Sequence, residues 1–206
     1  LFILTQNTKS FILPGRSLVT IAEESTMSII SKELSHVFID FFTSKKRALE
    51  FVEGPIHGVV IKPVLIQSDQ RGWLAEIYRQ DELSPEGCPV MAYISETLPG
   101  VSRGPHEHAA QTDYFAFIGP GDFDLYLWDI RVASPTWGNR IKMNVGQSNK
   151  QIVIVPPGIV HAYKNVGSVP GWVINQPNRL YAGAGRQEAV DEIRHENLPD
   201  TPFILN

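Results

Sequence analysis

Three histidines in two short segments concentrate the potential chemistry of this 206-residue chain. His106 and His108 stand two apart in GVSRGPHEH, and His161 follows the Pro156–Gly158 turn of PPGIVHAYKN. Residues two apart in a strand share a face, so His106 and His108 can point into one site. A rigid Pro/Gly turn can deliver His161 to the same place. Gln111 and Asp113, just beyond the first segment, offer oxygen atoms. Three imidazoles and an oxygen suit a divalent transition metal with an open position. The same residues without a metal make a hydrogen-bonded pocket in which a histidine can take up a proton near neutral pH. His36, His57 and His195 lack such company and read as surface or packing residues.

The elements that must hold these side chains are strands. From Gly58 onward, short apolar runs alternate with Gly, Pro, Asp and Asn: GVVIKPVLI, GWLAEIY, VMAYISET, TDYFAFI, DFDLYLWDI, QIVIVP and WVIN. In one of them Phe123, Leu125 and Leu127 alternate with Asp122, Asp124 and Tyr126, the period of a half-buried strand. Many short strands separated by turn signals predict an all-β sandwich or barrel. Upstream the period changes. Ile30, Leu34, Val37, Phe38 and Phe41 make one face of an amphipathic helix at about 28–43, and Lys45, Lys46 and Arg47 suit its C-terminal end. The chain therefore reads as an N-terminal extension over 1–52 and a β domain over 53–206.

Composition narrows the partners. A formal net charge of -4 argues against a nucleic-acid binder, while a few local arginines leave an anionic small ligand open. No apolar run reaches the ~18 residues of a membrane span, and the opening LFILTQNTKSFIL has neither the basic start nor the cleavage site of an export signal. Cys88 is the sole cysteine, which suits a reducing, cytoplasmic setting. Met27 is the first methionine, so residues 1–26 read as an upstream extension or a misplaced start.

The two histidine segments match the cupin signatures G-x5-H-x-H-x3,4-E and P-x-G-x2-H-x3-N, with Asp113 at the glutamate position and Asn165 completing the second. This implies a cupin, a double-stranded β-helix or jelly-roll barrel. A closer match comes from DQRGWLAE (69–76), GVSRGPH (100–106), WDIR (128–131), SPTWG (134–138), PPGIVHAY (156–163) and Tyr181. On these the region from Gly58 to about Pro202 resembles the dTDP-4-dehydrorhamnose 3,5-epimerase family, a branch of the cupins.

The resemblance implies an isomerase that removes a proton beside the ketone of a dTDP-linked 4-keto-6-deoxy sugar, with His106 as base. It implies nucleotide contacts from Arg71 and Glu76, substrate or enolate contacts from Arg103 and His161, and base stacking by Tyr181. It also implies a homodimer with exchanged strands. The departures gather in the pocket. The family's tyrosine proton donor falls at Asn175, here expected as a substrate contact, and its pocket lysine falls at Asp113 or Tyr114. The Gln and Asn upstream of the RG-x-H segment become Met91 and Tyr93, and His108 is additional. Tyr181, Tyr163 and Tyr114 are candidates to return the proton, with Asp113 holding an imidazolium. Three readings stay open: an epimerase, a metal-dependent cupin enzyme with His106, His108, His161 and Asp113 as ligands, and a sugar-nucleotide-binding cupin without turnover.

Overall fold

The computed structural model describes residues 8–11, 19–22 and 50–206. The chain divides into two compact units, Leu1–Ala48 and Leu49–Asn206. In the first, β1 (Thr8–Phe11) pairs antiparallel with β2 (Val19–Ala22). The helix expected at about 28–43 lies outside the described residues.

The second unit is a jelly-roll barrel of two facing sheets. Its strands are β3 (Val52–Glu53), β4 (Val60–Pro63), β5 (Ile66–Asp69), β6 (Gly72–Ala75), β7 (Tyr93–Thr97), β8 (Ser102–Glu107), β9 (Asp113–Phe117), β10 (Asp122–Asp129), β11 (Asn139–Gly146), β12 (Gln151–Val155), β13 (Ile159–Asn165), β14 (Gly171–Asn175) and β15 (Ile193–Arg194). One sheet has the order β15-β8-β13-β10-β11-β3 and the other β4-β12-β9-β14-β7. Alternation drives this arrangement: Phe115, Phe117, Val153, Val155 and Val173 of the second sheet pack against Phe123, Leu125, Leu127, Ile159 and Tyr163 of the first. Phe117, Phe123 and Tyr163 meet edge-on or tilted, with centroids 5.5–5.9 Å apart.

Two of the expected runs behave differently. GVVIKPVLI does not form one strand: Val60–Pro63 joins β12, and its last residue, Ile66, opens a separate hairpin, β5–β6. Trp73 and Leu74 of that hairpin stay exposed. Conversely, NRIKMNVG forms the long strand β11, its sparse apolar positions Ile141, Met143 and Val145 turned to the core.

The segment from Asp129 to Thr136 explains a motif that carries no chemistry. The Asp129 carboxylate is fully buried and accepts from Arg131 Nε at 2.9 Å, Ser134 Oγ at 2.6 Å and Thr136 Oγ1 at 2.6 Å. Burial would raise its pKa, but these donors hold it below the ordinary carboxylate value. Arg131 in turn bonds the His57 carbonyl, tying the entry strand to the barrel. Asp129→Ala should deprive Arg131, Ser134 and Thr136 of their shared buried acceptor and lower stability by about 1–3 kcal/mol, as read by urea denaturation. Because the folded pKa is depressed, Asp129 stabilises above its unfolded pKa of about 3.9 and ceases to as the pH falls through the folded value. The difference between the variant and the parent should therefore shrink in acid.

Candidate functional site

The two sheets part at one end around a cavity of about 1040 Å³. His106, His108, Arg103 and Tyr163 line it from the β8–β13 side, Tyr93 and Ser95 from β7, and the segment from Pro177 to Glu196 forms its rim. Register accounts for the histidines. His106 on β8 is the cross-strand partner of His161 on β13, and their rings lie 4.4 Å apart. His108 completes the cluster, 5.5 Å from the His106 ring and 5.6 Å from that of His161. The strands pass close here. A β-carbon on Gly104, at φ +78, would come within 2.5 Å of the His161 carbonyl oxygen, so this turn of chain requires glycine.

Asp113 opens β9 in the facing sheet and is buried beneath the rings. Its Oδ1 accepts from Gln111 Nε2 and Asn175 Nδ2, both at 2.8 Å. Its Oδ2 lies 3.1 Å from His108 Nε2 and 3.2 Å from His161 Nε2. Both rings face main-chain carbonyls on the other side: His108 Nδ1 that of Asp191, His161 Nδ1 that of Ile159. A neutral ring bonded in this way carries its proton on Nδ1 and turns an Nε2 lone pair towards the carboxylate. Asp113 Oδ2 and His161 Nε2 indeed have no hydrogen-bond partner. Lone pairs converging on an anion repel unless a cation lies among them. A proton on His108 is one such cation: burial lowers its pKa, but Asp113 and the Asp191 carbonyl lift it to about 9. The paired histidines hold the Asp113 carboxyl well below its ordinary value against the opposing effect of burial. A divalent metal is the other, since His106, His108 and His161 offer ring nitrogens within 4.8 Å of one another.

His106 differs from its neighbours. Among the described residues no hydrogen bond engages its ring nitrogens, and it lines the cavity. Burial first, then the neighbouring His161 and His108, pushes its pKa down to about 2, so the ring stays neutral.

The other expected site residues divide. Arg103 lines the cavity, its Nε donating to Thr97 Oγ1 at 3.0 Å and a terminal nitrogen to the Glu96 carbonyl at 2.7 Å. Tyr181 stands at the rim, 59% exposed, its backbone N–H resting on Met91 Sδ. Arg71 and Glu76 do not line this cavity. Arg71 pairs with Asp69 on the exposed β5–β6 hairpin, and Glu76 pairs with Arg79. Asn175 is buried behind the wall, where Asp113 and Tyr93 occupy its amide. Tyr114, next to inward-facing Asp113 on β9, points to the opposite face, where its ring packs on Tyr78.

Two contributors were not evident from sequence. Asp191 caps three consecutive backbone N–H groups, of Ala109, Ala110 and Gln111, at 2.8–2.9 Å, while its carbonyl receives His108. On the outer face of β8, fully buried His195 bonds Glu107 at 3.1 Å and packs on Phe203. Neither pairing leaves a spacing signal, because each joins residues 80 or more positions apart.

The model of dTDP-4-dehydrorhamnose 3,5-epimerase matches residues 53–170, more than half of the chain. The chain belongs to the dTDP-4-dehydrorhamnose 3,5-epimerase family. It is an epimerase-like isomerase by that membership. Among relatives, a probable low-salt glycan biosynthesis epimerase of Haloferax volcanii is 36% identical over 127 residues, 61% of this chain and 81% of that protein. A spore coat polysaccharide biosynthesis protein of Bacillus subtilis is 33% identical over 119 residues, 58% of this chain and 78% of that one. A dTDP sugar isomerase from Desulfovibrio desulfuricans superposes with a TM-score of 0.61 at 25% identity, over 73% of this chain and 92% of that one. Among the described residues no helix is long and apolar enough to cross a membrane.

Asp191→Ala should release the 109–111 backbone while keeping the main-chain carbonyl that faces His108. Loss of charge-assisted bonds at a partly buried site predicts about 2–4 kcal/mol of destabilisation, measurable by thermal or urea unfolding.

Proposed function

We propose that this enzyme removes the proton beside the ketone of a dTDP-4-keto-6-deoxy sugar, with His106 as the general base. The observation that carries this reading is the contrast within the cluster: both nitrogens of His108 face protein oxygens, while the His106 ring has no such partner and opens on the cavity. A ring held neutral can accept a proton at any physiological pH. Its depressed pKa also makes it a weak base, so the reaction leans on stabilising the enolate. Arg103 and a protonated His108 are cationic groups beside His106, with Arg179, Arg186 and Arg194 also in the lining, and His108 stands in for the absent lysine. Tyr181 at the rim suits the nucleotide base. Arg71 and Glu76 would reach a nucleotide only from a second subunit, and the exposed Trp73 and Leu74 on the same hairpin favour a homodimer.

The test is incubation with dTDP-4-keto-6-deoxyglucose in D2O. Deuterium should enter next to the carbonyl, and His106→Asn should slow that entry at least ~100-fold. No exchange above the enzyme-free rate would overturn the reading.

A second reading is favoured by the unpartnered Asp113 Oδ2 and His161 Nε2. His106, His108 and His161, with Asp113 close by, would hold a divalent transition metal that polarises a substrate carbonyl. Elemental analysis of untagged protein would then find about one metal per chain, lost in His108→Ala. Traces unaffected by that substitution would overturn it.

A further inference from the structure

Inverting a carbon centre requires one group to take a proton from one face and another to return a proton to the opposite face. Granting His106 as the base, the returning acid must stand on the facing wall of the cavity. Tyr163 is rooted on β13, beside β8 in the same sheet as His106, and where its Oη reaches the facing sheet it is already engaged with Ser95 Oγ of β7 at 3.0 Å. Tyr114 lies outside the cavity lining, and Tyr181 sits out at the rim. Among the described residues, one further phenol lines the cavity. Tyr93 opens β7, which belongs to the sheet opposite β8.

The hydrogen bonds of Tyr93 orient its proton. Asn175 Nδ2 lies 2.9 Å from Tyr93 Oη and 2.8 Å from Asp113 Oδ1. Its Oδ1 accepts from the Tyr114 backbone N–H at 3.1 Å, which fixes the amide orientation. An amide nitrogen can only donate, so the phenol oxygen is the acceptor of that bond and its own hydrogen is free to turn into the cavity.

We propose that Tyr93 is the proton donor of this enzyme and that Asn175 is the residue that positions it. The carbon–hydrogen bond beside the ketone breaks with its proton passing to a His106 nitrogen and its electron pair moving into the carbonyl as an enolate. The enolate carbon then bonds the Oη hydrogen on the other face, leaving a phenolate. Water returns a proton to Tyr93 and removes one from His106, so nothing else is consumed. Burial pushes the Tyr93 phenol up to about 12, with the Asn175 bond opposing and Asp113 adding to the rise, and it therefore keeps its hydrogen at neutral pH.

The register adds an independent argument. Asn175 and Tyr93 are direct cross-strand partners on β14 and β7, so their β-carbons lie about 5 Å apart. Where the family pattern has tyrosine on β14 and asparagine on β7, this chain has asparagine on β14 and tyrosine on β7. The same two side chains are present in the same pair, exchanged between strands.

The assignment rests on the epimerase reading, and the experiment separates the two. Parent, Tyr93→Phe and the double exchange Tyr93→Asn/Asn175→Tyr are each incubated with dTDP-4-keto-6-deoxyglucose in D2O. Deuterium entry is followed by mass spectrometry and inverted product by NMR, with dTDP binding and near-UV dichroism as checks of folding. Tyr93→Phe should keep deuterium entry with retained configuration to within about tenfold, yet lose at least ~100-fold of the inverted product. The double exchange should recover inversion to within about tenfold of the parent. A Tyr93→Phe protein that inverts at the parental rate overturns the assignment, as does one that is folded and binds dTDP but has lost exchange and inversion equally. A folded double exchange that does not invert also counts against it. A parent that neither exchanges nor inverts overturns the epimerase reading, and the assignment with it.

Discussion

Beneath the floor of the cavity lies a carboxylate cut off from water and crowded by acceptors, and the arrangement around it follows from satisfying that charge. Asp113 begins β9, the middle strand of one sheet, at the cavity end, and its two oxygens face different structures. Oδ1 draws in the amides of Gln111 and Asn175, which fixes the loop after β8 and the end of β14. Oδ2 collects the Nε2 atoms of His108 and His161. A buried anion of this kind is tolerated only with compensating donors or a cation. The orientations of four surrounding side chains are therefore consequences of one charge.

That arrangement creates a division of labour among three superficially equivalent imidazoles. His108 and His161 face protein oxygens on both sides, and His106 does not. Asp191 reinforces the difference from outside, holding the loop through three N–H groups and His108 through its carbonyl. The polar support of the site thus comes from residues that hold their neighbours in place. Asn175 belongs with them, a buried amide whose influence passes through its neighbour.

The barrel was largely legible in the sequence because its signal is local. Alternation along Phe123–Leu127 and turn residues between runs mark strands wherever one face is buried. The same logic missed β11, whose apolar positions are diluted by Asn, Lys and Arg, while the run at Gly72–Ala75 forms a strand that leaves Trp73 and Leu74 exposed. For the site, the spacing of His106, His108 and His161 carried through because strand period and register place them together. Asp113 was also visible by its distance from that motif. Spacing could not reveal that Asn175 backs the wall, that Tyr93 faces His106 from the other sheet, or that Asp191 braces the loop. Those relations depend on pairings between strands distant in sequence, which local pattern does not encode.

β8 has a consequence for how such a protein can diversify. It turns His106 towards the cavity and Glu107 towards a sealed pocket with His195. Because the period is two, inserting or deleting one residue upstream in this strand would bring the glutamate inside and turn the histidine out, spoiling both faces at once. Replacement at a fixed position carries no such penalty. Substitution at fixed positions can therefore alter the chemistry of this barrel, while the length of β8 itself is constrained by both of its faces.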